Sequence, residues 1–593
     1  MAVRAEKKQP NNKELAHIFR LMSFCYRYKG KPQQFRAIAY ENAARTIEGL
    51  KDDISNYAKE KKSLEELNGI GESIAEKIIE YLATGLIKTF EQLQRQIPIE
   101  LLSLMEISGM GPATVKTLHK KIGINNKDEL IKAIEAGKLD RLKGFGAKKI
   151  ENIKRGLKLY KEGQKRMLLS EALPIATELL EAVRKIQNVK AADIAGSLRR
   201  RKETIGDIDI IVATNQKDRR KIVQQFLAFP LIERILSKGE TKASVLLKTG
   251  IQVDMRLVSG QEYGATLLYF TGSKEHNIAL RTIAEKKGYK LNEYGLFNAE
   301  TNRVIASETE ESLYNKLGFS FIPPELRENR GELGKAKNGH LPILVELKDI
   351  RGDLHLHSNW SDGANDIETI ARNAGKELPE YEYMVVSDHS PSQRVAKGLK
   401  VEDFAMQFKE IDSVNEKIGR PFIKKGVEVD ILSNGKLDLP DSLLKQFDWV
   451  TASIHVGFIH DNTARLLKAC ESPYVNCIGH PSGRLIGKRE SYPVDWGKLF
   501  DKAVETGTAI EINCQPDRLD LPDDLVKVAI EKGVTIAIDT DAHSIAQNDF
   551  MSLGIGVARR GWCTRKNILN TRSWKEIEKF RNDKRKALLS DVK

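Results

Sequence analysis

Gly196-Ser197-Leu198-Arg199-Arg200-Arg201-Lys202-Glu203-Thr204-Ile205-Gly206-Asp207-Ile208-Asp209-Ile210-Ile211-Val212 places a glycine–serine turn and three arginines ahead of two carboxylates that alternate with isoleucine. Alternation at period two marks a strand, so Asp207 and Asp209 are expected on one face. Two acids side by side repel each other and cost stability unless a cation sits between them. A second strand pattern, Ile251-Gln252-Val253-Asp254-Met255-Arg256-Leu257-Val258, sends Asp254 to one face among apolar neighbours. Three acids from two strands can hold two Mg²⁺ ions and position an attacking hydroxyl for in-line phosphoryl transfer. The Gly-Ser turn would carry in the nucleotide triphosphate.

Upstream, one pattern recurs. LNGIGESIAEKI contains Gly69-Ile70-Gly71, ISGMGPATVKTL contains Gly109-Met110-Gly111, and LKGFGAKKIENI contains Gly144-Phe145-Gly146. Each reads as a glycine-flanked hairpin with an inward-packed middle residue, followed by a helix start. Backbone N–H groups at such a helix start bind phosphate without reading a base. A single Gly-x-Gly is most often an ordinary turn, but three in a basic region point to non-specific binding of a DNA backbone by helix-hairpin-helix motifs. Residues 12–60 carry helical periodicity, and residues 165–195 hold a further amphipathic helix.

Charge agrees with this division. Residues 1–330 hold 58 Lys+Arg against 42 Asp+Glu, whereas 331–593 hold 38 against 40, so the net charge of +14 arises entirely in the first part. A basic N-terminal portion beside a neutral remainder fits a polyanionic partner. No apolar run approaches the ~20 residues of a membrane span. The polar start MAVRAEKKQPNNKEL lacks a signal-peptide core, so a cytoplasmic protein without membrane attachment is expected. The five cysteines form no CxxC pair, which argues against a disulfide framework or a cysteine zinc site.

GSLRRRKETIGDIDIIV, VDMRLV and LLYFTGSKEHNIALRTIAEKKGYKLNEYGLF together resemble the family X DNA polymerases, and the likeness extends upstream through the hairpins to cover most of residues 10–325. The resemblance implies that Asp207, Asp209 and Asp254 bind two metals, with Asp254 closest to the primer 3′-hydroxyl. It assigns the incoming dNTP to Gly196, Ser197, Arg200 and Gly206, with Tyr269, Phe270, Thr271 and Gly272 forming a bend against its sugar. Asn277 and Arg281 would touch the nascent pair and the template. Ile205 departs from the pattern's phosphate-binding serine and Lys274 from its aspartate. Lys77, six residues after Gly71, matches the lysine that forms a Schiff base with an abasic sugar in that family. Ser73 replaces its helper lysine, Tyr40 falls in a related YxxAA context, and read by itself Lys77 is a solvated helix lysine.

The second half changes character. Seven of the eleven histidines lie between His355 and His543, at the ends of apolar runs such as DLHLHS, MVVSDHS, VTASIHVG, CIGHPSG and TIAIDTDAHS, with Glu428 in GVEVDIL. Polar residues at the C-terminal ends of alternating strands and helices build the site of a (β/α) barrel. His, Asp and Glu without Cys suit Zn²⁺, Mn²⁺ or Fe²⁺, and nine or ten donors are too many for one ion. Two or three ions would activate water for attack on a phosphoester. The segment resembles the PHP (polymerase and histidinol phosphatase) domain, whose nine-ligand set maps onto His355, His357, Asp362, His389, Glu428, His455, His480, Asp541 and His543 with none missing.

The expected chain is therefore multidomain α/β. It runs from an N-terminal helical domain (1–90) and a fingers-like helix-hairpin-helix region (91–165) to a nucleotidyltransferase-type palm with a mixed sheet (166–260). A thumb-like domain (261–325), a linker (326–349) introduced by Pro323-Pro324, and a distorted (β/α) barrel of PHP type (350–593) follow. The implied function is gap filling in base excision or end-joining repair, with Mg²⁺ or Mn²⁺ at the polymerase site. The PHP domain would remove 3′ nucleotides or phosphates, or cut at abasic sites. Gapped, nicked or primer-template DNA is the partner of an expected monomer. The alternatives are a DNA-binding scaffold with vestigial sites, or a small-metabolite phosphatase fused to a DNA-binding half.

Overall fold

Helix signals dominate the first third, and the computed structural model places a bundle of helices there; it describes residues 12–590 except 49, 51, 59, 60, 68, 108, 164, 165 and 378–380. Residues 1–11 of the expected N-terminal domain lie outside the described residues. Asn12–Lys29 and Gln34–Glu48 pack on each other, and one buried cluster runs from Leu15 to Leu157 through both helix-hairpin-helix regions. The three hairpins are the same object. Ile70, Met110 and Phe145 each donate their backbone N–H to the leucine or isoleucine three residues earlier at 3.0 Å, and all three side chains are buried. The first glycine of each takes the left-handed conformation (φ +79°, +85° and +88°), which favours glycine. The second glycines, Gly71, Gly111 and Gly146, are exposed and lead into Glu72–Thr84, Pro112–Ile122 and Ala147–Gly163.

The palm follows as a mixed five-stranded sheet in the order 191–194, 207–213, 252–258, 242–247, 232–238. Leu169–Arg184 and Arg219–Leu227 bury their apolar stripes on it. The thumb has its own core, in which Leu280, Leu296, Leu313, Tyr314 and Leu317 meet. Gly264 is fixed by close approach: a Cβ there would stand 2.3 Å from the Thr309 backbone.

Residues 326–349, expected as a linker, join the two halves as a packed strap. Buried Arg327 bonds Glu310 at 2.5 Å and the Ile322 carbonyl at 2.9 Å, while Glu332 accepts from buried His276 at 2.7 Å. From the strap, Arg330 reaches Asp523 at 2.9 Å and Glu328 meets Arg560 at 2.9 Å. The run looked like a linker because it is polar, but its charges are neutralised by partners distant in sequence, the condition for burying them.

Seven parallel strands then follow in sequential order: 352–356, 383–386, 423–430, 449–453, 477–478, 509–513 and 536–539. Parallel strands covered on both faces read as continuous apolar runs, and nearly every residue of these seven is buried. The ring nearly closes where Asp541 donates to the His355 carbonyl and His357 to the Ala542 carbonyl, both at 2.8 Å. The final helix, Trp574–Ser590, packs Trp574, Ile577 and Phe580 against an inner layer that includes Leu354 and Trp449.

Candidate active sites

The first constellation is set by strand register. Asp207–Ala213 runs parallel to Gln252–Val258, with Asp207 opposite Gln252 and Asp209 opposite Asp254. Ile208, Ile210, Val253 and Met255 are buried between them, so the acids share one sheet face, as the alternation implied. Burial pushes the Asp209 carboxyl up to about 7, and the neighbouring Asp207 and Asp254 add to the rise. Asp254 shifts the other way: burial opposes ionisation, but hydrogen bonds from Ser244, Lys242 and Gln252 outweigh it. Lys242 Nζ stands 3.0 Å from Asp254 Oδ2. A raised carboxyl beside like charges is the electrostatic state that a divalent cation relieves.

The Gly-Ser turn is the first part of a short helix, Gly196–Arg199. Gly196 has φ +65°, and a Cβ there would stand 2.5 Å from Asp209 Oδ2, so only glycine lets this segment lie against the acid. Arg199 donates to Thr271 Oγ1 at 2.7 Å and forms a fork on Glu310. Arg200, expected on the triphosphate, bonds Glu328 at 3.0 Å and the Thr271 carbonyl. Tyr269, Phe270 and Thr271 close the Tyr263–Thr271 helix and Gly272 caps it, where the resemblance implied a bend. Asn277 Nδ2 donates to the Tyr269 carbonyl at 2.7 Å, and Asn277, Arg281 and Tyr269 line one small cavity. Ser197 is half-buried, and Gly206 lies beside Arg166 between the two-residue strand Thr204–Ile205 and the strand Asp207–Ala213. Ile205 is fully buried in the palm core, which accounts for an apolar residue there.

Lys77 is half-buried on the helix after the first hairpin. Its Nζ donates to Ser73 Oγ and the Ser73 carbonyl, both at 2.9 Å, and burial lowers its pKa, with Arg36 adding to the effect. Tyr40 is buried and stacks on Tyr26 at 5.5 Å.

The second constellation sits at the C-terminal mouth of the barrel. All nine residues named from the sequence meet there, with Glu428 at the centre. Its oxygens lie 2.8 Å from His389 Nδ1 and 2.9 Å from His480 Nε2. His455, His355 and His357 follow at 3.4, 3.6 and 3.7 Å. Asp541 Oδ1 is 3.0 Å from His357 Nε2, and Asp362 Oδ1 is 3.3 Å from His543 Nε2. Three overlapping groups have donor atoms within 4.8 Å of one another: His357, Asp362, His389 and His543; His355, His357 and Asp541; His389, Glu428 and His455. His460, the one histidine between His355 and His543 outside the nine, is exposed in the loop after its strand and lies outside these groups.

A second layer, missed in the sequence, orients these ligands. Glu511 accepts from His355 Nδ1 at 2.7 Å, Asp430 pairs with His455 Nδ1 at 2.7 Å, and Asn513 Nδ2 donates to Asp541 at 3.0 Å. Such partners fix the ring orientation and raise the ligand's basicity. Their signal was available: Glu511 and Asn513 interrupt an otherwise apolar strand, AIEIN. Burial penalises the charge on Glu428 and Asp541, yet the surrounding histidines hold both well below the usual carboxylate range. Burial and the neighbouring His543 and His389 push His357 down to about 3. His355 Nε2, His357 Nδ1, Asp362 Oδ1 and His389 Nδ1 are buried, and despite close approaches such as the 2.8 Å between His389 Nδ1 and Glu428 none of them makes a well-aligned hydrogen bond. Unsatisfied imidazole and carboxylate atoms packed this closely fit divalent metal ions.

A cavity of about 480 Å³ opens over this cluster. One wall carries the barrel ligands, and the other is formed by Arg20, Arg45, Thr46 and Glu48 of the N-terminal helical part.

Family models match the chain in four places: a helix-hairpin-helix domain at 10–87, a SAM-like helix-hairpin-helix tandem at 101–159, a DNA polymerase beta palm at 166–259 and a DNA polymerase beta thumb at 266–328. The DNA polymerase/3′-5′ exonuclease PolX of Bacillus subtilis (strain 168) is 38% identical over 580 residues, covering 97% of this chain and all of that protein. A probable phosphatase of Thermoanaerobacter sp. (strain X514) is 33% identical over 248 residues, 40% of this chain and 96% of the phosphatase. DNA polymerase lambda of Arabidopsis thaliana is 27% identical over 352 residues, 53% of this chain and 62% of that polymerase.

Proposed function

Because the chain belongs to the family X DNA polymerases that carry a C-terminal PHP domain, we propose that it fills short gaps during DNA repair and trims the 3′ ends it extends. The observation that carries this reading is the register match of Asp209 with Asp254 across parallel strands, with Asp207 two residues away on the same face. Divalent ions at either site would stabilise charge on phosphoryl oxygens and, at the barrel, lower the pKa of water. At the palm, Asp207, Asp209 and Asp254 would hold Mg²⁺ or Mn²⁺, with Asp254 beside the primer terminus. Gly196 keeps the nucleotide segment against them. Nucleotide contacts at Ser197, Arg200, Gly206, Tyr269–Gly272, Asn277 and Arg281 belong to this reading. Release of Arg200 from Glu328 would free its guanidinium for phosphate. The exposed second glycines would let the three hairpins grip DNA backbone in the cytoplasm.

At the barrel, nine ligands would hold two or three of Zn²⁺, Mn²⁺ or Fe²⁺, and Glu511 and Asp430 would keep His355 and His455 in ligating orientation. The half-buried Lys77, with its lowered pKa, would serve as an abasic-site lyase nucleophile. The probable phosphatase that 40% of this chain matches over 96% of its length favours a second substrate for the barrel site, a 3′-terminal phosphate. One comparison tests the central reading: extension of a primer across a gap of one to a few nucleotides bearing a downstream 5′-phosphate, against an open primer-template, at equal dNTP and Mg²⁺. Faster filling of the gap is expected. Equal rates would assign the polymerase to a task other than gap repair. Borohydride trapping of the chain on abasic DNA, lost in Lys77→Ala, tests the lyase; trapping that survives the substitution would exclude Lys77.

A further inference from the structure

The N-terminal helical part reaches the barrel site. Arg45, on the Gln34–Glu48 helix, places Nη1 2.7 Å from Oδ2 of Asp362, although 317 residues separate them. Asp362 is itself nearly fully buried, and its other oxygen faces His543 and His389 at 3.3 and 3.5 Å. One carboxylate thus stands between the metal-ligating imidazoles and a guanidinium from another domain. Asp362, His389 and His543 would help hold a divalent ion, which would supply positive charge for a bound phosphate, and Arg45, whose guanidinium touches Asp362, stands beside that place. Arginine suits that role, since its planar fork carries five donors that match phosphate oxygens.

The cavity has the size of a binding site rather than a crevice: about 480 Å³, within the roughly 300–1,000 Å³ range of small-ligand pockets. Its walls come from two domains, which would confine the end of a strand to it. We propose that Arg45 is a substrate-binding residue of the barrel site, contacting the phosphate of the 3′-terminal nucleotide of a DNA strand, so that the N-terminal domain completes the hydrolytic centre. In the reaction, water adds to phosphorus and the bond from phosphorus to the 3′-oxygen of the penultimate nucleotide breaks. A nucleoside 5′-monophosphate leaves, and the shortened strand keeps its 3′-hydroxyl. This inference rests on the reading of the barrel as a 3′-end hydrolase.

The test uses the full chain loaded with Mn²⁺, as wild type, Arg45→Ala, Arg45→Lys and the double variant His355→Ala/His357→Ala. Two quantities are measured: KM and kcat for shortening a 3′-labelled single strand without dNTP, and the affinity for thymidine 5′-monophosphate by calorimetry. A charge-assisted hydrogen bond is worth about 1.5–3 kcal/mol, so Arg45→Ala is expected to weaken monophosphate binding about 10- to 100-fold and to raise KM correspondingly. Arg45→Lys is expected to recover part of both. Unchanged binding and KM in Arg45→Ala, with shortening lost in the double-histidine variant, would overturn the proposal and leave Arg45 as an ionic contact between domains. Shortening that survives in the double-histidine variant would instead remove the reading on which the proposal rests.

Discussion

The palm and the barrel both gather acids on neighbouring strands, yet they treat charge in opposite ways. The palm has three carboxylates on one face of two adjacent strands, with Asp207 exposed and Asp209 pushed up to about 7 by burial and by its neighbours. The barrel has nine donors, most of them buried, and its histidines hold Glu428 and Asp541 well below the normal carboxylate range. Three acids without imidazole form a hard, half-open site that would suit cations arriving and leaving with a nucleotide. Six imidazoles braced by Glu511 and Asp430 form an enclosed site suited to resident ions. The difference teaches that two phosphoester sites in one chain can be separated by how each handles metal, before any substrate is considered.

The sharpest way to break that contrast is to remove the barrel's hub. Glu428→Ala takes away a carboxylate that five imidazoles approach within 3.7 Å. Loss of several kcal/mol of metal-dependent stabilisation corresponds to a fall in 3′-end shortening of roughly 1,000-fold. Elemental analysis of the purified variant should show barrel metal lost as well; full metal content with full shortening would refute the hub role. Glu511→Gln is milder, because it only loosens the orientation of His355. Metal affinity, read by competition with a chelator, should drop about 10- to 100-fold, and an unchanged value would make Glu511 a packing residue. Gly196→Ala acts on the other site. The added Cβ meets Asp209 Oδ2 in a left-handed backbone, which costs about 1–2 kcal/mol, so nucleotide incorporation should slow by about tenfold. A rate equal to wild type would mean that the segment moves away from the acids during turnover.

Much of each site was legible because it is local in the chain. Asp207 and Asp209 share a strand, the barrel ligands follow apolar runs, and the hairpin glycines repeat with their middle residue intact. What escaped depends on partners far away in sequence. Arg327 and Glu332 read as linker residues because the partners that bind them, Glu310 and His276, come from other elements of the thumb. No local pattern could join Arg45 to Asp362. Arg200 shows the same limit: the motif assigned it to phosphate, whereas the fold gives it Glu328 and the Thr271 carbonyl.

Separateness of the two sites is tested most directly with one 5′-labelled primer annealed across a short gap. It is followed with dNTP and Mg²⁺, and again with Mn²⁺ and no dNTP, for wild type, Asp254→Ala and His355→Ala/His357→Ala. Two independent centres require that Asp254→Ala abolish extension and keep shortening, and that the double-histidine variant do the reverse. Extension undiminished in Asp254→Ala, or both activities lost together in a correctly folded variant, would contradict it.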